Sequence, residues 1–215
     1  MNAFLERIKR VPKILILAAL KKCGSDTVNF MSQPLMNDPN KDFAHGTTAL
    51  GMRWKDGIVI GADRRVSAGT LIASKTGKKV FQIHKNLGMA IAGLVSDAMS
   101  LVDLMQAELT IFELENEYTP TVKVAANLLG VILHGGYRRY FPYWVQLIVG
   151  GVDHTGPHVY FLDPSGSVSE EPYFAIGSGS PLALGVMEDR LAKGDTLAVT
   201  DALELAEKGL RSAIG

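Results

Sequence analysis

The chain has a single cysteine, Cys23, in 215 residues. One thiol allows neither an intramolecular disulfide nor a multi-cysteine metal site, a usage that suits a reducing compartment. Net charge is missing as well. The 22 basic side chains balance 22 acidic ones, which removes the simplest electrostatic argument for a nucleic-acid or membrane partner. The apolar run from Ile14 to Leu20 falls far short of the roughly 20 residues that a bilayer-spanning helix needs. There is no Walker loop, Rossmann fingerprint, HExxH or GxSxG. His45, His84, His134, His154 and His158 show no metal-ligand spacing; only His154 and His158 lie four apart, and they straddle Gly156-Pro157 as a water-exposed strand-end pair would.

What is present is apolar substance. Hydrophobic residues make up 47% of the chain, which excludes disorder for most of it and suits one domain with a sizeable core. The neutral total hides an asymmetry. Residues 1–22 carry six basic side chains against Glu6 alone, whereas residues 47–215 carry 15 basic and 18 acidic ones. A basic stretch before an apolar run resembles a secretory leader, but the run is short, Lys21 and Lys22 follow at once, and no small-x-small cleavage site stands beyond. The recurrence of Phe4, Ile8, Val11, Ile14 and Leu15 predicts a short amphipathic helix instead. Residues 24–46 turn to Ser, Asn, Asp, Pro and Met without a period, which predicts a mobile linker ending at Gly46.

Beyond Gly46 the pattern alternates in blocks. Strands are predicted over Thr47–Met52 and Ile58–Ala62, joined at Lys55-Asp56-Gly57, then over Leu71–Ala73, Lys79–His84 and Gly88–Ala92. A helix starts at Ser96-Asp97, with Met99, Val102, Met105, Leu109 and Phe112 on its face, and ends before Pro120. A second starts at Thr121, with Val124, Leu128, Val131 and Ile132 on one face, and stops at Gly135-Gly136. Strands return over Val145–Val152, His158–Leu162 and Ser167–Ala175. Ser180-Pro181 opens a third helix and Thr200 caps a last one. Runs of strands alternating with runs of helices predict an α+β fold: two antiparallel sheets face to face, with a helix pair outside each.

Candidate chemistry lies at Gly46-Thr47-Thr48. A threonine hydroxyl needs a base, and the residue's own α-amino group, with a reference pKa of about 7.7–8.0, is one economical choice. That scheme requires cutting after Gly46, whose missing Cβ permits the strained turn in which Thr47 attacks the preceding carbonyl. Gly-Thr-Thr also simply starts a strand, and three residues do not separate the two readings.

Ala44-His45-Gly46-Thr47-Thr48, Gly61-Ala62-Asp63-Arg64-Arg65, Leu71-Ile72-Ala73-Ser74-Lys75, Lys78-Lys79-Val80, Ile91-Ala92-Gly93, the run Pro142–Gly151 and Gly177-Ser178-Gly179-Ser180 together resemble the 20S proteasome β subunit of archaeal or related prokaryotic type. The resemblance runs in order from about Gly46 to the C-terminus. It implies an N-terminal-nucleophile hydrolase with a four-layer αββα sandwich, working in the cytoplasm without cofactor or metal, and with no nucleic-acid or membrane partner. Stacked seven-membered rings with α subunits and other β subunits, a regulatory ATPase and unfolded polypeptide substrates are the implied partners. Residues 1–46 would be a propeptide, autocatalytically removed between Gly46 and Thr47, and 47–215 the catalytic domain. Thr47 would be the nucleophile, Lys79 the catalytic lysine, Asp63 its carboxylate, Ser178 a serine beside the Thr47 amine, and Gly93 the oxyanion donor. Val66, Phe81, Ile91 and Val95 would form an apolar substrate pocket. One departure stands out. The family continues past the last helix with an Arg-Asp-Ser-Ala-Ser-Gly-like segment and further strands, whereas the sequence given stops at Arg211-Ser212-Ala213-Ile214-Gly215, so a truncated or immature precursor, or a non-catalytic structural ring member, is the alternative expectation. A related two-component bacterial protease with six-membered rings fits less well, because of the Gly-Ser-Gly-Ser loop and the long N-terminal extension.

Overall fold

The computed structural model describes residues 14–18, 47–68, 71–74, 76–191 and 197–214. In chain order the strands are β1 (Ile14–Ala18), β2 (Thr48–Trp54), β3 (Gly57–Ala62), β4 (Val66–Ala68), β5 (Leu71–Ser74), β6 (Val80–His84) and β7 (Leu87–Gly93). Helices α1 (Val95–Asn116) and α2 (Val122–Arg138) follow, then β8 (Val145–Asp153), β9 (Gly156–Leu162), β10 (Val168–Glu170) and β11 (Tyr173–Gly177), and finally α3 (Ser180–Leu191) and α4 (Val199–Ile214).

Two sheets result, one in the order β1-β3-β2-β11 and one in the order β10-β9-β8-β7-β6, with β4 and β5 as a separate ribbon. Three apolar clusters lie between four layers. The first packs Leu101, Met105, Leu109, Ala125, Leu129 and Leu133 of α1 and α2 onto Leu87, Met89, Leu147 and Val149 of the second sheet. Another packs Met187, Ala206 and Leu210 of α3 and α4 onto Leu50, Met52 and Val59 of the first sheet. Between the sheets, Ala49, Ile58, Ile60 and Ile176 meet Val80, Ala90, Ile148 and Val159. This is the αββα arrangement that the strand and helix order predicts.

Two glycines lie where the sheets face each other with no room for a side chain. A Cβ on Gly51 would stand 2.8 Å from Ile148 Cγ2, and one on Gly150 would stand 2.9 Å from Ile58 Cδ1. Each glycine is a socket that a neighbouring isoleucine fills, because interiors pack without voids.

Several local expectations are corrected. Residues 14–18 form a strand, parallel to β3 from Ile14↔Ile58 to Ala18↔Ala62, where helical spacing predicts part of a helix; an Ile-Leu-Ile-Leu run suits either, and a sheet edge decides. The rest of that helix and the linker of residues 24–46 lie outside the described residues. Helix α1 begins at Val95 behind Leu94, which provides no side-chain cap; Asp97 instead accepts a hydrogen bond from the Trp144 N–H at 2.9 Å. Thr121 does cap α2, accepting from the Val124 N–H. Its inward face is Val122, Ala125, Ala126, Leu129 and Leu133, while Val131 stands 71% exposed. Gly135 and Gly136 are passed through, and the helix closes with Tyr140 in a left-handed conformation. The strand predicted over 167–175 is two strands in different sheets, β10 on β9 and β11 on β2. Pro172, which lacks an N–H, stands at the crossing. Helix α4 starts at Val199, one residue before Thr200.

Candidate functional site

Asp63 follows the end of β3, and Lys79 immediately precedes β6. The chain folds them together without solvent: Asp63 is 4% exposed and Lys79 6%. Lys79 Nζ donates to Asp63 Oδ1 at 2.8 Å and to the Arg65 carbonyl. Asp63 Oδ1 also accepts from the Thr48 N–H at 2.7 Å, and Oδ2 accepts from the Arg65 N–H at 2.8 Å. In return the Asp63 N–H donates to the Thr48 carbonyl at 3.0 Å. Asp63 therefore holds the residue next to Thr47 by two bonds, one from its carboxylate and one from its backbone, and the carboxylate compensates a buried ammonium. Burial pushes the Lys79 pKa down from the usual lysine value; the Asp63 charge and hydrogen bond oppose this, and the Arg65 charge adds to it. A lysine so depressed gives up a proton more readily than a solvated one.

Thr47 stands just before β2 and is partly buried. It lines a cavity of about 340 Å³ together with Ala92, Gly93, Trp144, Val145, Gln146, Pro164, Gly177 and Ser178. The walls come from both sheets: Thr47, Gly177 and Ser178 stand at the ends of β2 and β11 in one, and the rest of the main wall belongs to β7, β8 and the residue before β8 in the other. Gly177 has φ +87°, and a Cβ there would meet the Thr47 carbonyl oxygen at 1.9 Å, so only glycine lets β11 end against Thr47. Gly93 has φ +117°, and a Cβ there would strike the Trp144 carbonyl at 2.2 Å. The Trp144 backbone is fixed in turn, its carbonyl accepting from the Leu94 N–H at 2.8 Å and its N–H donating to Asp97.

Among the site residues expected from sequence, Thr47, Gly93 and Ser178 meet at this cavity, and Asp63 and Lys79 form the buried pair beside it. Gly46 lies outside the described residues. Val66, Phe81, Ile91 and Val95 do not line the cavity. Phe81 and Ile91 belong to the core beneath α1 and α2, Val66 opens the β4–β5 ribbon, and Val95 is the half-exposed first residue of α1. Trp144 and Gln146, to which the sequence assigned no role, do line it, as does Gly177 of the Gly177-Ser178-Gly179-Ser180 run. Gln146 and Gly177 sit far apart in the chain, and the signals for them were the runs Pro142–Gly151 and Gly177-Ser178-Gly179-Ser180 in which they stand. Among the described residues, no group of three or more His, Cys, Asp or Glu side chains could hold a metal ion, and no helix is long and apolar enough to cross a membrane.

Comparison with known proteins covers the same body. Residues 43–215 match the family described as proteasome subunit. The chain is 44% identical over 169 residues to the proteasome subunit beta of Methanopyrus kandleri, covering 79% of this chain and 80% of that protein. It is 44% identical over 170 residues to the subunit beta of Archaeoglobus profundus, covering 79% and 77%. Against the subunit beta of Methanothermobacter thermautotrophicus the identity is 41% over 179 residues, 83% and 82% of the two chains.

Proposed function

Because the chain belongs to the proteasome subunit family, with β subunits as its relatives, we propose that it is a core-particle β subunit acting as a threonine endopeptidase on unfolded polypeptide. The observation that carries this is one juxtaposition: Thr47 and Gly93 line a single cavity, and the buried Lys79–Asp63 pair is hydrogen-bonded to the Thr48 peptide.

Thr47 Oγ1 first attacks the Gly46 carbonyl. The peptide bond shifts to an ester on the hydroxyl, water hydrolyses the ester, and Thr47 is left with a free α-amine. Residues 1–46 are thus a propeptide and residues 47–215 the catalytic domain. In turnover the amine takes the hydroxyl proton as Oγ1 attacks a substrate carbonyl, and the Gly93 N–H receives the developing oxyanion. The amine returns the proton to the leaving nitrogen, and water then frees the acyl group from Thr47. The nearby Lys79 ammonium favours the deprotonated amine and hydroxyl, and Ser178 on the cavity wall orients the amine. Pairing with α subunits and other β subunits in stacked rings, feeding by a regulatory ATPase and a cytoplasmic setting belong to the same reading. Tyr140 at 92% exposure, Phe141 at 82% and Trp144 at 67% offer apolar surface of the kind that neighbours cover.

Thr47→Ala tests the proposal. Mass spectrometry of the wild-type particle is expected to find a new N-terminus at Thr47, and the variant to retain residues 1–46 and lose peptidase activity. An uncut chain in a peptide-cleaving particle, or an active Thr47→Ala variant, would overturn it.

A further inference from the structure

Gln146 has no part in the chemistry set out above, yet it touches the site from the opposite sheet. It lies on β8 across from Ala92, one residue from the Gly93↔Val145 pair, and lines the cavity with Thr47. Its Oε1 accepts a hydrogen bond from the Gly177 N–H at 3.1 Å. A backbone N–H can only donate, so this contact orients the carboxamide: oxygen toward Gly177, and the two Nε2 hydrogens left for another acceptor. Gly177 is the last residue of β11, pairs with Thr48, and backs so closely on Thr47 that no side chain fits between them. Ser178 follows it directly. A side chain of the second sheet therefore fixes the peptide on which Thr47 rests in the first.

We propose that Gln146 is a positioning residue of the Thr47 site. Its Oε1 locks the Gly177-Ser178 turn against the nucleophile, and its Nε2 donates to a backbone carbonyl of the bound polypeptide. This rests on the reading of Thr47 as nucleophile. An exposed glutamine is ordinarily bonded to water, and two facts set this one apart. Its acceptor is committed to a backbone donor 31 residues away on another sheet, and a polypeptide substrate brings a carbonyl at every residue into a cavity whose wall holds the unspent amide hydrogens.

Two substitutions separate the roles, made in the full chain assembled with its partner subunits. Gln146→Glu keeps an oxygen to accept from Gly177 but has no hydrogen to give, whereas Gln146→Met keeps the length and loses both functions. With Gln146→Glu, amide exchange of the 173–179 segment is expected to stay slow while KM for peptides rises about three- to tenfold, the effect of one lost hydrogen bond. With Gln146→Met the same rise in KM is expected, together with faster exchange at 173–179 and a fall in kcat of about tenfold to a hundredfold, as sub-ångström misplacement of reacting groups produces. Unchanged exchange in Gln146→Met overturns the lock, and an unchanged KM in both variants overturns the donor. Losses of kcat in the two variants that simply track their thermal midpoints reduce Gln146 to a structural residue. Exchange is read without turnover, so an active Thr47→Ala particle defeats the nucleophile reading while the Gln146–Gly177 lock remains measurable.

Discussion

Asp63 does three things with one carboxylate: it neutralises Lys79, clamps Thr48, and accepts from Arg65. Asp63→Asn keeps the shape and removes the charge, turning one oxygen that faces a backbone N–H into a donor. Breaking a buried pair in this way is expected to cost about 3–5 kcal/mol of stability, read from the denaturant midpoint. The pH dependence is a sharper check. Burial already holds the Lys79 pKa below the ordinary value, so between the two values the unfolded chain binds more protons and stability rises with pH. Without Asp63 the depression deepens, the window widens, and the variant's midpoint is expected to climb more steeply from neutral to mildly alkaline pH than the wild type's; parallel slopes would refute the account. At this scale the sequence was partly legible. Lys79 and Asp63 stood out by resemblance, because a nucleophile's electrostatic partners are fixed residue types. Gln146 and Trp144 did not, because their role comes from two sheets meeting, which no spacing along the chain records.

Strand β10 is three residues long and is held to its neighbours by side chains as well as by its ladder. Glu170 accepts from His158 Nδ1 at 2.7 Å and from the Tyr160 hydroxyl at 3.0 Å, and Arg53 of β2 stands 3.6 Å away. The His158 hydrogen bond holds the Glu170 carboxyl below its usual range against the opposing effect of burial, with Tyr160 and the charges of His158 and Arg53 assisting. Burial, then Glu170, push the Tyr160 hydroxyl up to about 12 from 10.0. The signs follow. Glu170 contributes stability that is present above the ordinary carboxylate pKa and lost as pH falls through its depressed value, whereas the Tyr160 contribution is present below pH 10 and lost as pH rises toward about 12. Glu170→Gln is expected to flatten both limbs of the stability profile and to shift the Tyr160 phenolate transition downward in a difference titration against Tyr160→Phe. Elements were the most legible level of this chain, and the misses have physical causes. The α2 face was misassigned at Val131 because Val, Leu and Ile surround that helix on more than one side and periodicity alone is ambiguous. The 167–175 strand divided because Pro172 cannot donate to a ladder.

The fold class followed from block order, since apolar sheets must be covered and two helix pairs were available to cover them. The N-terminal strand did not follow. Strand β3 is buried at all six positions and carries no charge or proline, so it has none of the devices that protect an edge; β1 lies along it. In the Thr47→Ala chain, which is expected to retain residues 1–46, proline introduced at Leu15 and Ile16 together removes at least one ladder donor, and is expected to speed amide exchange over residues 57–62 while leaving 145–153 unchanged; unaltered exchange at 57–62 would count against the pairing. The glycine sockets bear on the molecule in another way. Ile148 seated over Gly51, and Ile58 over Gly150, act as keys between two plates and resist shear of one past the other. Thr47 and Gly93 ride on opposite plates, so the gap between the proposed nucleophile and the proposed oxyanion donor depends on those keys. A Gly51→Ala change, remote from the cavity, would press on Ile148 of the other plate and is expected to lower the proposed peptidase rate without touching any cavity residue.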